Sequence, residues 1–543
     1  MAFLKARMQR RITIWLPGTL LLALVSLAVI SHYGAKGRLE AYRLQLKASG
    51  EKSTIDELRP VLSPQEIDAG QDLLAAAGLI LSPGGVAPIM KPLPPGRALA
   101  ACRETVLPTE DSTNIWPSLE ALRDRNASAL VQVRAVLSRP GFAFEIDYGR
   151  DAILVSPYLA RMKSLALSLS LAATVELHEG ELTNAWEDLD ALARLVSGYN
   201  KDCLLVSVLV RVAIAGAAIA PTWEALQCSG WTDEQLRSLQ CGWESVDFLS
   251  QAESALTMEG LLSPRSFAAC RKSYNAINSL PGSAVSGLSE LSEIGEEVLR
   301  NPGRGFKTAL HRYPGYWGWK YWQSYEDELV SAKAIQAALA AVRHAKSSGV
   351  AGATLTEFDD IAPAIRKEHP SAGKWVGASM VDNKRAFLAR IASIEMQRSL
   401  LVTAIALKRY ELKHGNYPAE LRALCPNFIA QIPRDPIDGK PMRYRPEGDG
   451  TFVLYSIGEN GEDDGGDPEP SLEAHQQWWR SRDAVWPRAA SPEQVQDLFR
   501  VVIAKRQRSA NPTASGNAGL IEQFRRRYGL PMAATNPPRG ATN

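Results

Sequence analysis

Glu462, Asp463, Asp464 and Asp467 crowd four carboxylates into one glycine-rich loop, within Gly458-Glu459-Asn460-Gly461-Glu462-Asp463-Asp464-Gly465-Gly466-Asp467. Carboxylates this close repel one another, and a cation relieves the repulsion. Ca²⁺ suits such a loop because it accepts carboxylate, amide and backbone oxygens in flexible geometry. The spacing is not that of an EF-hand, which needs Asp-x-Asp-x-Asp-Gly with a later Glu. The competing reading is a solvated acidic turn.

Other chemistry is sparse. The seven histidines (His32, His178, His311, His344, His369, His414 and His475) form no His-Glu-x-x-His or His-x-His pair. No Gly-x-Ser-x-Gly elbow and no phosphate-binding Gly-x-x-x-x-Gly-Lys-Ser/Thr occurs. Ser49-Gly50-Glu51-Lys52 fits Ser-x-x-Lys by letters alone, without its companion motifs. Glu176 and Glu179 flank His178 beside a hairpin turn, where exposed polar residues are expected. The six cysteines (Cys102, Cys203, Cys228, Cys241, Cys270 and Cys425) include no Cys-x-x-Cys, which argues against zinc and thioredoxin-like chemistry. Their even number permits disulfides outside the cytoplasm, while Cys203 and Cys270 stand in apolar helical text and read as buried thiols.

The acidic loop is positioned by the stretch before it. Leu400, Ala404, Leu407 and Glu411, with Leu401, Ile405 and Leu412 beside them, have helical spacing, and Gly415 ends the helix after Lys408, Arg409, Lys413 and His414. Asp382 is a candidate cap, which predicts a rod of about 30 residues, roughly 45 Å long. Pro418 suits a short helix through Leu424. Asp438-Gly439 signals a turn, and Met442–Arg445 and Phe452–Tyr455 read as strands.

The order His414-Gly415-Asn416-Tyr417-Pro418, Leu421-x-x-Leu424, Ile432-Pro433-x-Asp435-Pro436-x-x-Gly439-x-Pro441, Leu454-Tyr455-Ser456-x-Gly458, acidic Gly465-Gly466 loop resembles the C-terminal part of the type II secretion major pseudopilin. The likeness covers about 70 of the 543 residues. It implies a calcium ion stapling the final loop. By that resemblance Asn460 stands where the family usually has Asp, and Asp483 corresponds to a later ligand, with Pro468–Ser481 inserted. The implied metal set is therefore Asn460, Asp463, Asp467 and Asp483.

The N-terminus is a second distinctive segment. Lys5, Arg7, Arg10 and Arg11 precede Ile12–Ile30, nineteen residues without charge, long enough to span a bilayer. A cleaved signal peptide is the rival reading, but Ser31-His32-Tyr33-Gly34-Ala35 is a poor cleavage site. Lys36, Arg38, Arg43 and Lys47 follow, so the positive-inside comparison favours N-in, C-out only through the denser first cluster. The pseudopilin Gly-Phe processing site and early Glu are missing, and more than 350 residues separate the anchor from the loop module. This implies a borrowed fold rather than a filament subunit.

Between them lies helical text. Ser63-Pro64-Gln65-Glu66 starts a helix to about Leu79, Pro83–Pro95 reads as loop, and residues 115–140 form another helix. Residues 155–245 are the clearest core. Gly180 and Ala185 resemble a tetratricopeptide hairpin, without a clean 34-residue period. Leu204–Ile219 is nearly all apolar, but Arg211 at its middle favours a buried core helix. Thr232 caps the next helix. Tyr313, Tyr316, Trp317, Trp319, Tyr321, Trp322 and Tyr325 cluster with basic residues; helix packing, a membrane surface and a glycan or peptide groove compete for this stretch. Residues 326–346 read as helix, Pro363 interrupts the following segment, and Ser491-Pro492-Glu493-Gln494 opens a last helix.

These observations predict a mainly α chain: a helical-hairpin body with a small C-terminal α+β pseudopilin-like module and one N-terminal transmembrane helix. The expected divisions are a basic segment and anchor at 1–35, a helical body at 36–375, the module at 380–490, and a helix with a disordered tail at 491–543. The plan resembles uncharacterised membrane-anchored helical proteins of planctomycete-type bacteria. Net charge is +2 and no basic-aromatic module occurs, which argues against nucleic-acid binding. The expected role is a single-pass scaffold of the bacterial cytoplasmic membrane, extracytoplasmic in bulk and anchored through residues 12–30; the pseudopilin resemblance adds calcium binding at the C-terminal module and an association with secretion. An envelope-polymer hydrolase with a groove near residues 313–325 is the alternative.

Overall fold

The computed structural model describes residues 26–27, 29–83, 91–93, 96–148, 157–273, 316–368, 377–458, 460–468 and 482–510. Most of the expected anchor, Tyr313 of the aromatic stretch and the expected C-terminal tail lie outside them. In chain order, a helix over 29–48 (α1) is followed by α2 (Pro64–Gly78), β1 (Lys91–Leu93), β2 (Arg97–Leu99) and α3 (Trp116–Leu137). Next come α4 (Pro157–Glu179), α5 (Leu182–Gly198), α6 (Leu205–Leu226), α7 (Asp233–Glu244) and α8 (Phe248–Lys272). A π-helical turn (Trp319–Gln323) leads into α9 (Ser324–Ser348), then α10 (Ala353–Glu368) and α11 (Gly377–His414). The chain continues through β3 (Arg443–Pro446), β4 (Phe452–Ile457), β5 (Asp483–Val485), β6 (Arg488–Ala489) and α12 (Pro492–Ala510). The fold is mostly helical with small sheets, as composition and periodicity predict.

Local chemistry sets several boundaries. The Ser63 hydroxyl accepts from the Glu66 N–H at 3.2 Å while the Glu66 carboxylate accepts from the Ser63 N–H at 3.0 Å, a capping box. Thr232 and Gln235 repeat the device at α7, and each cap is worth about 1 kcal/mol. Along α6 the sequence is apolar enough to cross a membrane. Arg211 at its middle is instead buried, donating to the Val196 carbonyl at 2.7 Å, the Asp247 carbonyl at 2.9 Å and Gln251 Oε1 at 3.1 Å. Its guanidinium also lies 4.8 Å from the Phe248 ring centroid. Burial lowers its pKa to about 10. The acceptors offset much of the cost of desolvating the charge.

The division at 375–380 does not separate two cores. One apolar cluster runs from Ala69 to Trp486. Helix α11, 38 residues long, starts before Asp382 and packs on α6, α7, α9 and α10 rather than standing out as a connecting rod. Arg409 on α11 pairs with Asp233 at 2.8 Å, and Trp223 on α6 donates to the Pro487 carbonyl at 2.8 Å. The apolar face of α11 meets apolar faces of the body along much of its length, so the body forms around it.

Two small sheets complete the structure. β3, β4 and β5 form an antiparallel sheet, with Tyr455 opposite both Arg443 and Val485. β1 pairs antiparallel with β2, and β2 pairs parallel with β6 through Arg97↔Arg488 and Ala98↔Ala489. Part of the proline-rich segment expected to be loop is therefore strand: Pro92 tolerates an edge position, where no N–H is required. Pro363 does not end α10 either. It removes one ladder hydrogen bond, but Leu355, Phe358, Ala362 and Ile365 keep that helix face buried.

Candidate functional site

The acidic loop joins β4 to β5. Asp483, the first residue of β5, is fully buried. Its Oδ2 accepts from the N–H of Gly466 at 2.8 Å and of Asp467 at 3.1 Å, while its Oδ1 is buried without a partner. Burial raises its pKa despite those amide donors. Gly466 has φ +85°, and an added Cβ would meet the Tyr455 ring at 3.3 Å, so the turn that presents these amides requires glycine.

The other expected ligands are occupied differently. Asp463 accepts from the Tyr455 hydroxyl at 3.0 Å and from Arg443 Nε at 3.1 Å. Asp467 pairs with Arg482 at 3.1 Å. The Asn460 amide donates to Asp464 at 2.9 Å, and its carbonyl oxygen accepts from the Glu462 N–H. Among the described residues, no three His, Cys, Asp or Glu side chains converge as a metal-ligand group. Asp483 Oδ1 is a good oxygen for a cation, but Asn460, Asp463, Asp467 and Asp483 do not close around one point as placed.

A side-chain cation stands nearby. Arg443 on β3 donates to Asp435 at 2.7 Å, to both Asp438 oxygens at 3.1 and 2.7 Å, and to Asp463 at 3.1 Å. Asp435 is fully buried, and its carboxylate also accepts from the Ser456 hydroxyl at 2.6 Å and the Ile437 and Ile457 amides. Burial acts to raise Asp438 and Asp463, but Arg443 helps hold both below the ordinary range; at Asp435 burial wins and the pKa rises. Arg443 does here what a bound cation does elsewhere: it bridges carboxylates from the 435–438 turn and the acidic loop and ties them to one strand. Sequence reading placed Asp435 in a proline-flanked motif, Asp438 in a turn and Arg443 in a strand without pairing them. The Asp-Gly turn facing an Arg-containing strand was the available signal.

A second cluster lies where α1 meets the body. Ala35 and Leu39 of α1 are buried. Arg38 reaches Glu326 at 2.7 Å; Arg43 and Arg271 both bind Glu328, Arg271 at 2.5 Å. Farther along, Arg343 binds Glu51 at 2.5 Å. A groove of about 1040 Å³ runs between the α1 side and α8 and α9, lined by Leu44, Lys47, Leu261, Arg265 and Ile335. Neither Trp317 nor Trp322 lines it.

The aromatic stretch divides between packing and exposure. Tyr316 and Trp319 turn inward: Tyr316 donates to the Cys270 carbonyl at 3.0 Å and Trp319 to Asp327 at 2.8 Å. Trp317, Tyr321 and Trp322 turn outward, at 47%, 48% and 42% exposure. The carboxylates that follow this stretch in sequence, Glu326, Asp327 and Glu328, are each bound to Arg or Trp.

The remaining candidates are structural in their contacts. His178 stacks on Trp116 at 3.9 Å, and its Nδ1 lies 3.3 Å from the Cys102 carbonyl. Glu176, expected to be exposed, is buried. It faces α5 rather than solvent, beside Asp188, which Arg134 binds at 2.6 Å. Burial and the Asp188 charge raise Glu176 to about 8, and burial raises Asp188 to about 6. Ser49 donates to the Leu46 carbonyl at 2.8 Å as a helix-end contact, with no nucleophile-base geometry. Cys102 and Cys228 approach to 3.5 Å between sulfurs. Their shared hydrogen bond and burial raise Cys102, while the same bond lowers Cys228.

Compared with protein-family models, curated proteins and solved structures, the chain gives no match.

Proposed function

We propose that this chain is a single-pass scaffold of the bacterial cytoplasmic membrane, anchored through residues 12–30, with its bulk outside the cytoplasm. The observation that carries the reading is the placement of α1. Buried Ala35 and Leu39 and the Arg38–Glu326 and Arg43–Glu328 pairs fix the helix to the body, while Leu27, Val29, Ile30 and Tyr33 stand exposed at its N-terminal end. Leu27, Val29 and Ile30 are among the last residues of the uncharged run that begins at Ile12. A rigid link between anchor and body suits a protein that holds partners at a fixed height above a bilayer. The C-terminal helix and antiparallel sheet support a pseudopilin-like module in element order, and a secretion-associated role follows only by that analogy. The hydrolase alternative has less support, because Glu326, Asp327 and Glu328, the carboxylates next to the aromatic stretch in sequence, are all engaged.

Alkaline carbonate extraction of membranes and protease treatment of spheroplasts test the reading. The full chain is expected in the carbonate-resistant pellet and cleaved from outside, while a chain lacking residues 1–30 is expected in the supernatant. Extraction of the full chain, or its protection in spheroplasts, overturns the anchor or the orientation respectively.

A further inference from the structure

The exposed aromatic face lies beside the end of the proposed span. His32 Nδ1 is 2.9 Å from the Tyr321 carbonyl oxygen, and the His32 ring lies 4.9 Å from that of Tyr325. The uncharged run ends at Ile30, two residues before His32. At 1.5 Å per helical residue, that end and the Tyr321 contact differ in height by about 3 Å. Trp317 and Tyr321 stack with centroids 5.7 Å apart, and the Lys320 ammonium lies 5.0 Å from the Trp317 centroid and 5.5 Å from that of Tyr321. Trp322 is exposed beside them, whereas Tyr316 and Trp319 fasten the segment to the body. Lys36 lies on α1 six residues, about 9 Å, beyond Ile30.

We propose that Trp317, Lys320, Tyr321 and Trp322 form a lipid-contacting collar that seats the body on the bilayer in which residues 12–30 are anchored. The proposal rests on the anchor reading. Trp and Tyr favour the bilayer interface because their rings are apolar and their N–H and O–H groups remain hydrated. Lys320 can lay its stem along the rings and raise its ammonium toward lipid phosphates. A second copy or another protein would also cover aromatic rings. Here the face is level with the end of an apolar run, and a bilayer boundary is the surface that meets both. The collar adds a second attachment and restrains the tilt of the body.

Tryptophan quenching in vesicles tests this with the full chain. The protein is reconstituted into phosphatidylcholine vesicles brominated near the headgroup end of the acyl chains. Trp15 lies within the proposed span and reports the anchor. In a Trp15→Phe protein, the collar predicts a residual quenched component of about one sixth of the emission, two of the remaining twelve tryptophans. That component should vanish in Trp15→Phe/Trp317→Phe/Trp322→Phe. If Trp15→Phe alone abolishes all lipid quenching seen in the parent, the anchor stands and the collar is overturned. Residual quenching unchanged in the triple variant also overturns the collar. A parent protein that brominated lipid does not quench removes both readings. Unchanged carbonate resistance in the triple variant separates loss of the collar from loss of insertion.

Discussion

The cluster around Glu328 and the cluster around Arg443 solve one electrostatic problem in opposite ways. Glu328 is one buried carboxylate between two arginines, Arg43 and Arg271. Arg443 is one guanidinium among three carboxylates, Asp435, Asp438 and Asp463. The first joins segments 285 residues apart in sequence; the second gathers residues that each lie within 20 positions of Arg443. Charge balance alone therefore does not decide the architecture. At the body, a carboxylate receives a helix from far away in sequence; in the C-terminal sheet, a cation closes local turns.

Removing the central charge of each cluster should break this comparison most strongly. Arg443→Ala leaves buried Asp435 without its cation, and loss of one partner from such a pair costs about 3–5 kcal/mol. Urea unfolding of the full chain, followed by both circular dichroism and fluorescence, measures the loss. A change below about 1 kcal/mol, as for an exposed pair, would show that the amide and hydroxyl donors to Asp435 suffice.

Glu328→Gln is expected to cost less, about 2 kcal/mol, because Arg43 is substantially exposed and can rehydrate. Its distinguishing effect should be release of α1, read as faster tryptic cleavage at Lys47, Lys52 and Arg59 under native conditions. Unchanged cleavage would show that buried Ala35 and Leu39 hold the helix without the ion pairs.

A third site sharpens the comparison because two of its buried carboxylate oxygens receive no donor. Glu176 and Asp188 lie beside Arg134, which bonds Asp188 at 2.6 Å and pairs with Glu187 at 3.4 Å on the surface side, leaving Glu176 without a bond to it. Neither Glu176 Oε2 nor Asp188 Oδ2 has a donor, and one shared proton would serve both. Glu176 is raised to about 8 from an ordinary value of 4.5. Between those pH values the folded chain retains a proton that the unfolded chain has lost. This contribution to stability should therefore decline as pH rises from about 4.5 to about 8 and then level off. Glu176→Gln should flatten the decline in a series of urea midpoints. An unchanged slope would assign the pH dependence to other groups.

These sites also mark what was legible in the sequence. Ser63 and Thr232 disclosed their helices because each cap and its partner lie within one turn. Arg211 disclosed a core helix because a charge amid apolar residues is costly in lipid. The strands around Phe452 were legible from turn signals and short-range patterning. The β2–β6 pairing and the seat of α1 were not, because their partners lie hundreds of residues apart and neither side carries a complementary local pattern. The acidic loop was visible as acidic, but its neutralisation depends on strand register, which places Arg443 opposite Tyr455 and within reach of Asp463. Glu176 was misread because a residue near a hairpin turn can still face the neighbouring helix.

The smallest expected effect concerns calcium. In the parent chain Arg443 already bonds Asp435, Asp438 and Asp463, leaving Asp483 Oδ1 as the unpartnered buried oxygen at the loop. Adding calcium after chelation should therefore move the thermal midpoint by less than about 1 degree. In Arg443→Ala the same carboxylates lose their cation, and Ca²⁺ accepts oxygen ligands in the flexible geometry that such turns supply. Binding at one hundred times its dissociation constant would add about 2.7 kcal/mol to the folded state and partly restore the variant. A larger calcium shift in the parent than in the variant would place the cation at Asp483 and the loop, independently of Arg443. A preferential shift in the variant would instead show that guanidinium and metal compete for one electrostatic task, with the arginine making that task independent of calcium supply.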